Sequence, residues 1–206
     1  MFLIKVILIS CTGALSPGPL TAATAAIGVK HGWKGGFFVG LGHMMFEFPL
    51  VVLIGLGVAT FFTSKTFSQV VSFIGGVFLI FFAYLTIRDA IKVKTISASD
   101  FKRSPILIGI GFSALNPFFI AWWVGIGSPL IFEAISYWGL SGILFFYLAH
   151  VWLDFAWLSI VAHVTSISGI KLNVYRVILL IVAILVALFG VDFVYYSIFE
   201  RHLLSF

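Results

Sequence analysis

Two pairs of side chains in this sequence are of a type and spacing that could do chemistry. His43 precedes Glu47 in "GHMMFE" (42–47), and His150 precedes Asp154 in "AHVWLD" (149–154), each by four residues. Residues four apart on a helix share a face, so each imidazole is within reach of its carboxylate. A histidine titrating near neutrality beside a carboxylate takes up and releases protons in the working pH range. Two imidazoles and two carboxylates are equally a ligand set for a divalent metal. The residue types alone do not separate the two chemistries.

The elements that must carry these pairs are apolar. Of 206 residues, 62% are hydrophobic and 9% charged, and the mean hydropathy is +1.20, outside the range of soluble domains. Apolar stretches of about the 20 residues that cross a bilayer core of roughly 30 Å fall near 2–28, 36–62, 68–90, 105–131, 138–166 and 174–198. The expectation is an all-α polytopic membrane protein: six transmembrane helices in a single domain over 1–206, with halves 1–90 and 105–198 joined by a polar cytoplasmic linker, 91–104. Ionisable groups in such spans are costly and face the protein interior or water. Both pairs fall around mid-depth. Lys5, a short apolar run and the small residues Ala14 and Ser16 also fit a cleavable signal peptide, a reading that an internal repeat opposes.

That repeat pairs "GALSP" (13–17) with "SALNP" (113–117), which share Ala, Leu and Pro, and then pairs the two His–acid motifs in the second and fifth spans. "AYL" (83–85) and "VYY" (194–196) match more weakly. Three spans per half is an odd number, so the halves run in opposite directions, the inverted-repeat plan of secondary transporters. Within it, Ser16-Pro17 and Asn116-Pro117 read as helices that restart in mid-membrane, since Ser and Asn are favoured N-caps and Pro is favoured at the first helical position. At about 1.5 Å per residue from Lys5 and from Ser104, both breaks lie roughly 16 to 18 Å deep. A half-helix N-terminus there presents N–H groups and a positive dipole end that hydrocarbon does not tolerate unpaired. Ser16, Pro17, Gly18, Pro19, Asn116 and Pro117 are therefore candidates for substrate binding together with Glu47 and Asp154, and His43, Glu47, His150 and Asp154 for proton coupling. The plainer alternative is two kinked helices whose neighbours satisfy the freed groups.

The formal charge of +5 reflects loop positioning rather than nucleic-acid binding. Lys30, Lys34, Arg88, Lys92, Lys94, Lys102, Arg103, Lys171 and Arg176 fall in the odd loops, against Lys5, Lys65 and Arg201 on the other side. By the positive-inside tendency the odd loops are cytoplasmic and both termini face out. A lone Cys11 excludes an intramolecular disulfide and a Cys-x-x-Cys pair. Neither a Walker A loop nor Gly-x-Ser-x-Gly is present, and no activated nucleophile accompanies the His–acid pairs, so neither an enzyme nor a cofactor is expected. Among weaker features, His163 and Asp192 lie toward span ends, and Trp122, Trp123, Trp152 and Trp157 either line a cavity or pack. Gly36, Gly40, Gly109 and Gly111 permit close helix approach. Pro49 is expected to bend the second span, and Gly28, Gly32 and Gly35 with Lys30 and Lys34 to form a short basic turn.

"SPGP" (16–19), the spaced glycines of "GVKHGWKGGFFVGLGH" (28–43) and "NP" (116–117) resemble the LysE amino-acid exporter family, across the whole chain and at a shared length. The resemblance implies an exporter in the plasma membrane for amino acids or similar small zwitterionic solutes, driven by the proton motive force. Its partners would be the small-molecule substrate, a coupling proton and the lipid bilayer, with a homodimer left open. Many members carry Gly-Asp where this chain has Gly42-His43 with its carboxylate displaced to Glu47, a departure that weighs against a basic amino acid. The wider superfamily includes metal and cation exporters, so export of a divalent metal by His43, Glu47, His150 and Asp154 is the second functional reading.

Overall fold

In hydrocarbon every backbone polar group must be satisfied within the chain, and for long apolar runs the helix achieves this. The computed structural model describes residues 1–16, 18–58, 65–92, 104–166, 172–201 and 203, and among them the chain is all-α with no strand. Helix α1 (Phe2–Ala14) is followed by α2 (Pro19–Leu53), which a π-helical turn, Ile54–Val58, prolongs. Next come α3 (Lys65–Lys92), α4 (Pro105–Ala114) and α5 (Pro117–Trp122). A second π-helical turn, Trp123–Gly127, leads into α6 (Ser128–Trp138), and α7 (Ser141–Ser166) and α8 (Leu172–Phe199) complete the fold.

Among the described residues, five stretches are long and apolar enough to cross a membrane: Pro19–Val58, Gln69–Lys92, Pro117–Trp138, Ser141–Ser166 and Leu179–Phe199. Helices α1 and α4, at 13 and 10 residues, are apolar but individually too short to cross. Most of the linker expected at 91–104 lies outside the described residues.

The boundaries differ from the hydropathy reading at two glycines. No loop separates a first from a second span at 29–35; α2 runs on, interrupted at Gly32 (φ 59°, ψ −156°). The expected loop near 132–137 is helical, and the turn comes at Gly139 (φ 59°, ψ −153°). That region of backbone space is open essentially to glycine alone, so one residue replaces a loop that composition would not reveal. At Gly32 the chain doubles back: side chains added at Gly28 and at Gly36 would both strike Ala162 of α7, and one at Gly32 would sit 3.5 Å from Ser166 at that helix's end. Eight residues of straight helix span about 12 Å and could not share one contact in this way. Pro49 stands inside α2 without taking any residue out of helical angles.

Close backbone approach fixes how the helices meet. A Cβ at Gly42 would lie 2.0 Å from the Ile106 carbonyl oxygen, one at Gly109 2.1 Å from that of Val39, and one at Gly36 2.1 Å from that of Leu158. These contacts draw α4 and α7 onto α2. Gly75 meets the Leu115 carbonyl and Gly76 that of Gly190, which brings α3 against α4 and α8. Gly40 and Gly111 face first the aromatic rings of Phe155 and Phe78. One apolar cluster centres on Ile27, Val39, Phe112, Val186 and Phe193, a second on Val6, Val51, Trp123, Ile131 and Phe146. Lys5–Glu133 (2.6 Å) and Lys65–Glu200 (2.7 Å) are partly exposed pairs that add little stability.

A methyl group at Gly42 has no flexible side chain to displace, only backbone. Gly42→Ala is expected to lose about 1–3 kcal/mol through forced separation of α2 and α4, despite the higher helix propensity of alanine. Gly125, with open space at its Cβ position, should tolerate alanine unchanged. Thermal unfolding in detergent compares the two, and equal melting temperatures would contradict the packing argument.

Candidate functional site

The site begins at the two helix breaks, which end alike. Leu15 N donates to Cys11 O (3.1 Å) and Ser16 N to Gly13 O (3.1 Å); Leu115 N donates to Gly111 O (3.1 Å) and Asn116 N to Ser113 O (3.2 Å). They restart differently. Asn116 is the N-cap of α5, its Oδ1 accepting from Phe118 N (3.1 Å) and Phe119 N (3.3 Å), with Pro117 at the first helical position. Ser16 is no cap, contrary to the sequence expectation: α2 starts at Pro19, and its N-cap is Gly18 in extended conformation, which has no side chain to offer. The reason lies in "SPGP". A residue before proline is pushed out of the helical region, so Ser16 and then Gly18 are both excluded, and the helix can form only beyond the second proline. Pro17 lies outside the described residues.

The doubled-back α2 and the facing α7 bring the two His–acid pairs together into one buried cluster. Glu47 Oε1 lies 3.0 Å from His43 Nε2 and 3.3 Å from His150 Nε2, and Glu47 Oε2 accepts from Tyr147 Oη at 3.0 Å. Asp154 Oδ2 is 3.2 Å from His150 Nε2 and Asp154 Oδ1 is 3.9 Å from His43 Nε2. On its far side His43 Nδ1 meets Ser113 Oγ at 2.6 Å, and Ser113 Oγ donates to Gly109 O at 2.7 Å. The two carboxylates are not equivalent. Both Glu47 oxygens are engaged in hydrogen bonds, whereas Asp154 is approached, among the described residues, only by the imidazole His150 Nε2, which Glu47 shares, and more distantly by His43; His150 Nδ1 has no hydrogen-bond partner among them.

The breaks and the cluster share one cavity of about 450 Å³. Ser16, Gly18, Pro19 and Asn116 line it from the breaks; His43, Glu47, His150 and Asp154 line it from α2 and α7. Pro117 is not in its wall. Trp122 and Trp123 are, each with its ring against the His150 imidazole.

Over residues 11–197 the sequence matches the family model described as LysE type translocator. The chain belongs to that family. No curated protein and no solved structure matches it. Membership makes it a multi-pass membrane protein and an exporter, and the LysE type translocators are transporters rather than enzymes.

In this translocator two cluster residues went unread in the sequence. Tyr147 is three residues before His150 and so on its helical face. Ser113 occupies the first letter of "SALNP", where the other copy has Gly13, so the difference between the copies, not their likeness, marks it. Of the weaker candidates, Asp192 is buried and accepts from Leu203 N (2.6 Å), His163 is exposed, Trp157 packs against the first apolar cluster, and the exposed Trp152 donates to Ala149 O (3.0 Å). His43, Glu47 and Asp154 each offer one ligand atom, all within 4.8 Å of one another, a spacing a divalent cation could bridge.

The unequal breaks have a measurable consequence. Asn116→Ala removes a cap and should cost about 1 kcal/mol, whereas Ser16→Ala should leave the melting temperature unchanged. Equal losses in detergent unfolding would contradict the assigned caps.

Proposed function

We propose that this translocator is a proton-coupled exporter of amino acids or similar small zwitterionic solutes, with one central site between two inverted halves. The observation that carries the reading is the shared cavity: both helix breaks and all four His–acid side chains line the same space. Support for the inverted halves comes from Gly32 and Gly139, which have nearly identical backbone angles and stand eleven residues before His43 and His150 respectively. On this reading α1 with the first arm of α2, and α4 with α5 and α6, are the two broken spans, and six crossings result. Lys5, Glu133, Lys65 and Glu200 then lie on the outer side with both termini, and the linker 91–104 lies in the cytoplasm.

The substrate carboxylate is drawn to the start of α2, where the N-cap Gly18 leaves the first N–H groups without a side-chain partner and the helix dipole is positive. The start of α5 is closed by Asn116 and holds the cavity wall instead. The substrate ammonium is drawn to Asp154, which lines the cavity and is less tightly held than Glu47.

Proton coupling follows from the arrangement of donors. Ser113 donates to Gly109 O, so its lone pair takes the His43 Nδ1 proton, and a single further proton can lie between His43 Nε2 and Glu47 Oε1. His150 Nε2 reaches both carboxylates and links that proton to Asp154. A buried site tolerates little net charge. An arriving ammonium therefore favours departure of a proton, and a returning proton favours release of the ammonium. Exchange of one for the other across the membrane is export driven by the proton gradient.

The spacing of His43, Glu47 and Asp154 supports a second reading, in which a divalent metal is the cargo. Glu47 Oε1 would then have to exchange two imidazole hydrogen bonds for the ion, which ranks this reading second.

Proteoliposome flux separates the two. Amino-acid movement against its gradient is expected only with an opposing proton gradient, lost in Asp154→Asn and retained in part, with a shifted pH dependence, in His43→Gln. Movement of Mn²⁺ or Zn²⁺ without any amino acid, abolished by His43→Gln as fully as by Asp154→Asn, would replace the amino acid by a metal.

A further inference from the structure

We infer that the cargo is a neutral amino acid with an apolar side chain, an inference that rests on the amino-acid reading above. The charge inventory of the cavity is short. His43, Glu47, His150 and Asp154 are the ionisable residues in its described wall, with no lysine or arginine among them. Glu47 is already committed on both oxygens to His43, His150 and Tyr147. Asp154, approached only by His150 (3.2 Å) and His43 (3.9 Å), is thus the less committed carboxylate, enough for one ammonium group. The α-ammonium of any amino acid occupies it.

A lysine or arginine side chain would bring a second cation with no carboxylate left to receive it. A glutamate or aspartate side chain would bring an anion into a wall that already holds two carboxylates and no permanent cation. In either case a charge is buried unpaired, which a low-dielectric site penalises heavily.

The wall left for the side chain is mostly apolar, and the hydroxyls of Thr12 and Thr21 in it are already engaged, by Trp122 Nε1 and by Ser16 O. Phe118, Phe119, Trp122, Trp123, Leu158 and Phe189 line it. Trp122 is held in place: its Nε1 donates to Thr12 Oγ1 at 3.3 Å, and its ring rests on Gly13, where a Cβ would approach Trp122 Cε2 to 2.8 Å. An aromatic face attracts a cation, but more weakly than the missing ion pair would, so the Trp pair does not make up for the absent carboxylate. A cavity of about 450 Å³ leaves room for a side chain the size of that of leucine or phenylalanine.

Tracer counterflow in proteoliposomes tests this on the unmodified full chain, run separately with L-leucine, L-lysine and L-glutamate as tracer and with L-leucine, L-phenylalanine, L-lysine, L-arginine and L-glutamate as competitors. Leucine counterflow is expected, with leucine and phenylalanine competing at least tenfold better than lysine, arginine or glutamate. Competition by lysine, arginine or glutamate equal to or better than that by leucine would overturn the apolar side chain and leave the amino-acid exporter standing. Absence of counterflow with all three tracers would overturn both.

Discussion

A buried carboxylate is the constraint on which the rest of this structure depends. Glu47 is 1% exposed, in a chain that crosses a bilayer, and an uncompensated charge in such a place costs several kcal/mol. Its compensation comes from two helices, as His43 lies on α2 and Tyr147 and His150 on α7. Those donors arrive only if α2 and α7 touch, and they touch through Gly36 and the Leu158 carbonyl. The contact of α2 with α4 through Gly42 and Gly109 then brings Ser113 to the far side of His43. The small-residue packing and the polar cluster are two expressions of a single requirement: the backbones must approach closely enough for short polar side chains to meet.

Two sequence motifs that look alike have been built into unlike halves of the site. The first break is left uncapped because two prolines in "SPGP" delay the helix to Pro19; the second is capped at once by Asn116. Of the two acids, Glu47 is hydrogen-bonded on both oxygens and Asp154 has only ion-pair approaches from His150 and His43. This asymmetry makes Glu47 the acid that ties α2 to α7 and leaves Asp154 the less tightly held of the two.

The membrane class and the all-α fold were legible in hydropathy alone, because a run of apolar residues has no other stable form in lipid. The i,i+4 pairs and the two proline breaks were legible because each is a local pattern, and their gathering around one cavity followed from the repeat. What escaped was either glycine-specific or inter-helical. The turns at Gly32 and Gly139 need one residue each and leave no polar loop for hydropathy to find. Tyr147 shares a helical face with His150, but its bond to Glu47, like that between His43 and Ser113, forms only across helix contacts. The start of α2 was misplaced at Ser16 although the restriction that each proline places on its predecessor contained the answer.

The claim at the centre of this account is that substrate and proton compete for one buried cluster. Proton release on substrate binding tests it without any need for transport: purified protein in weakly buffered detergent is mixed with amino acid near neutral pH, and a soluble indicator reports protons per molecule bound. Release of about one proton per amino acid is expected by linkage, together with its loss in Asp154→Asn. Saturable amino-acid binding with no proton released at any pH between 5 and 8 would contradict the shared cluster.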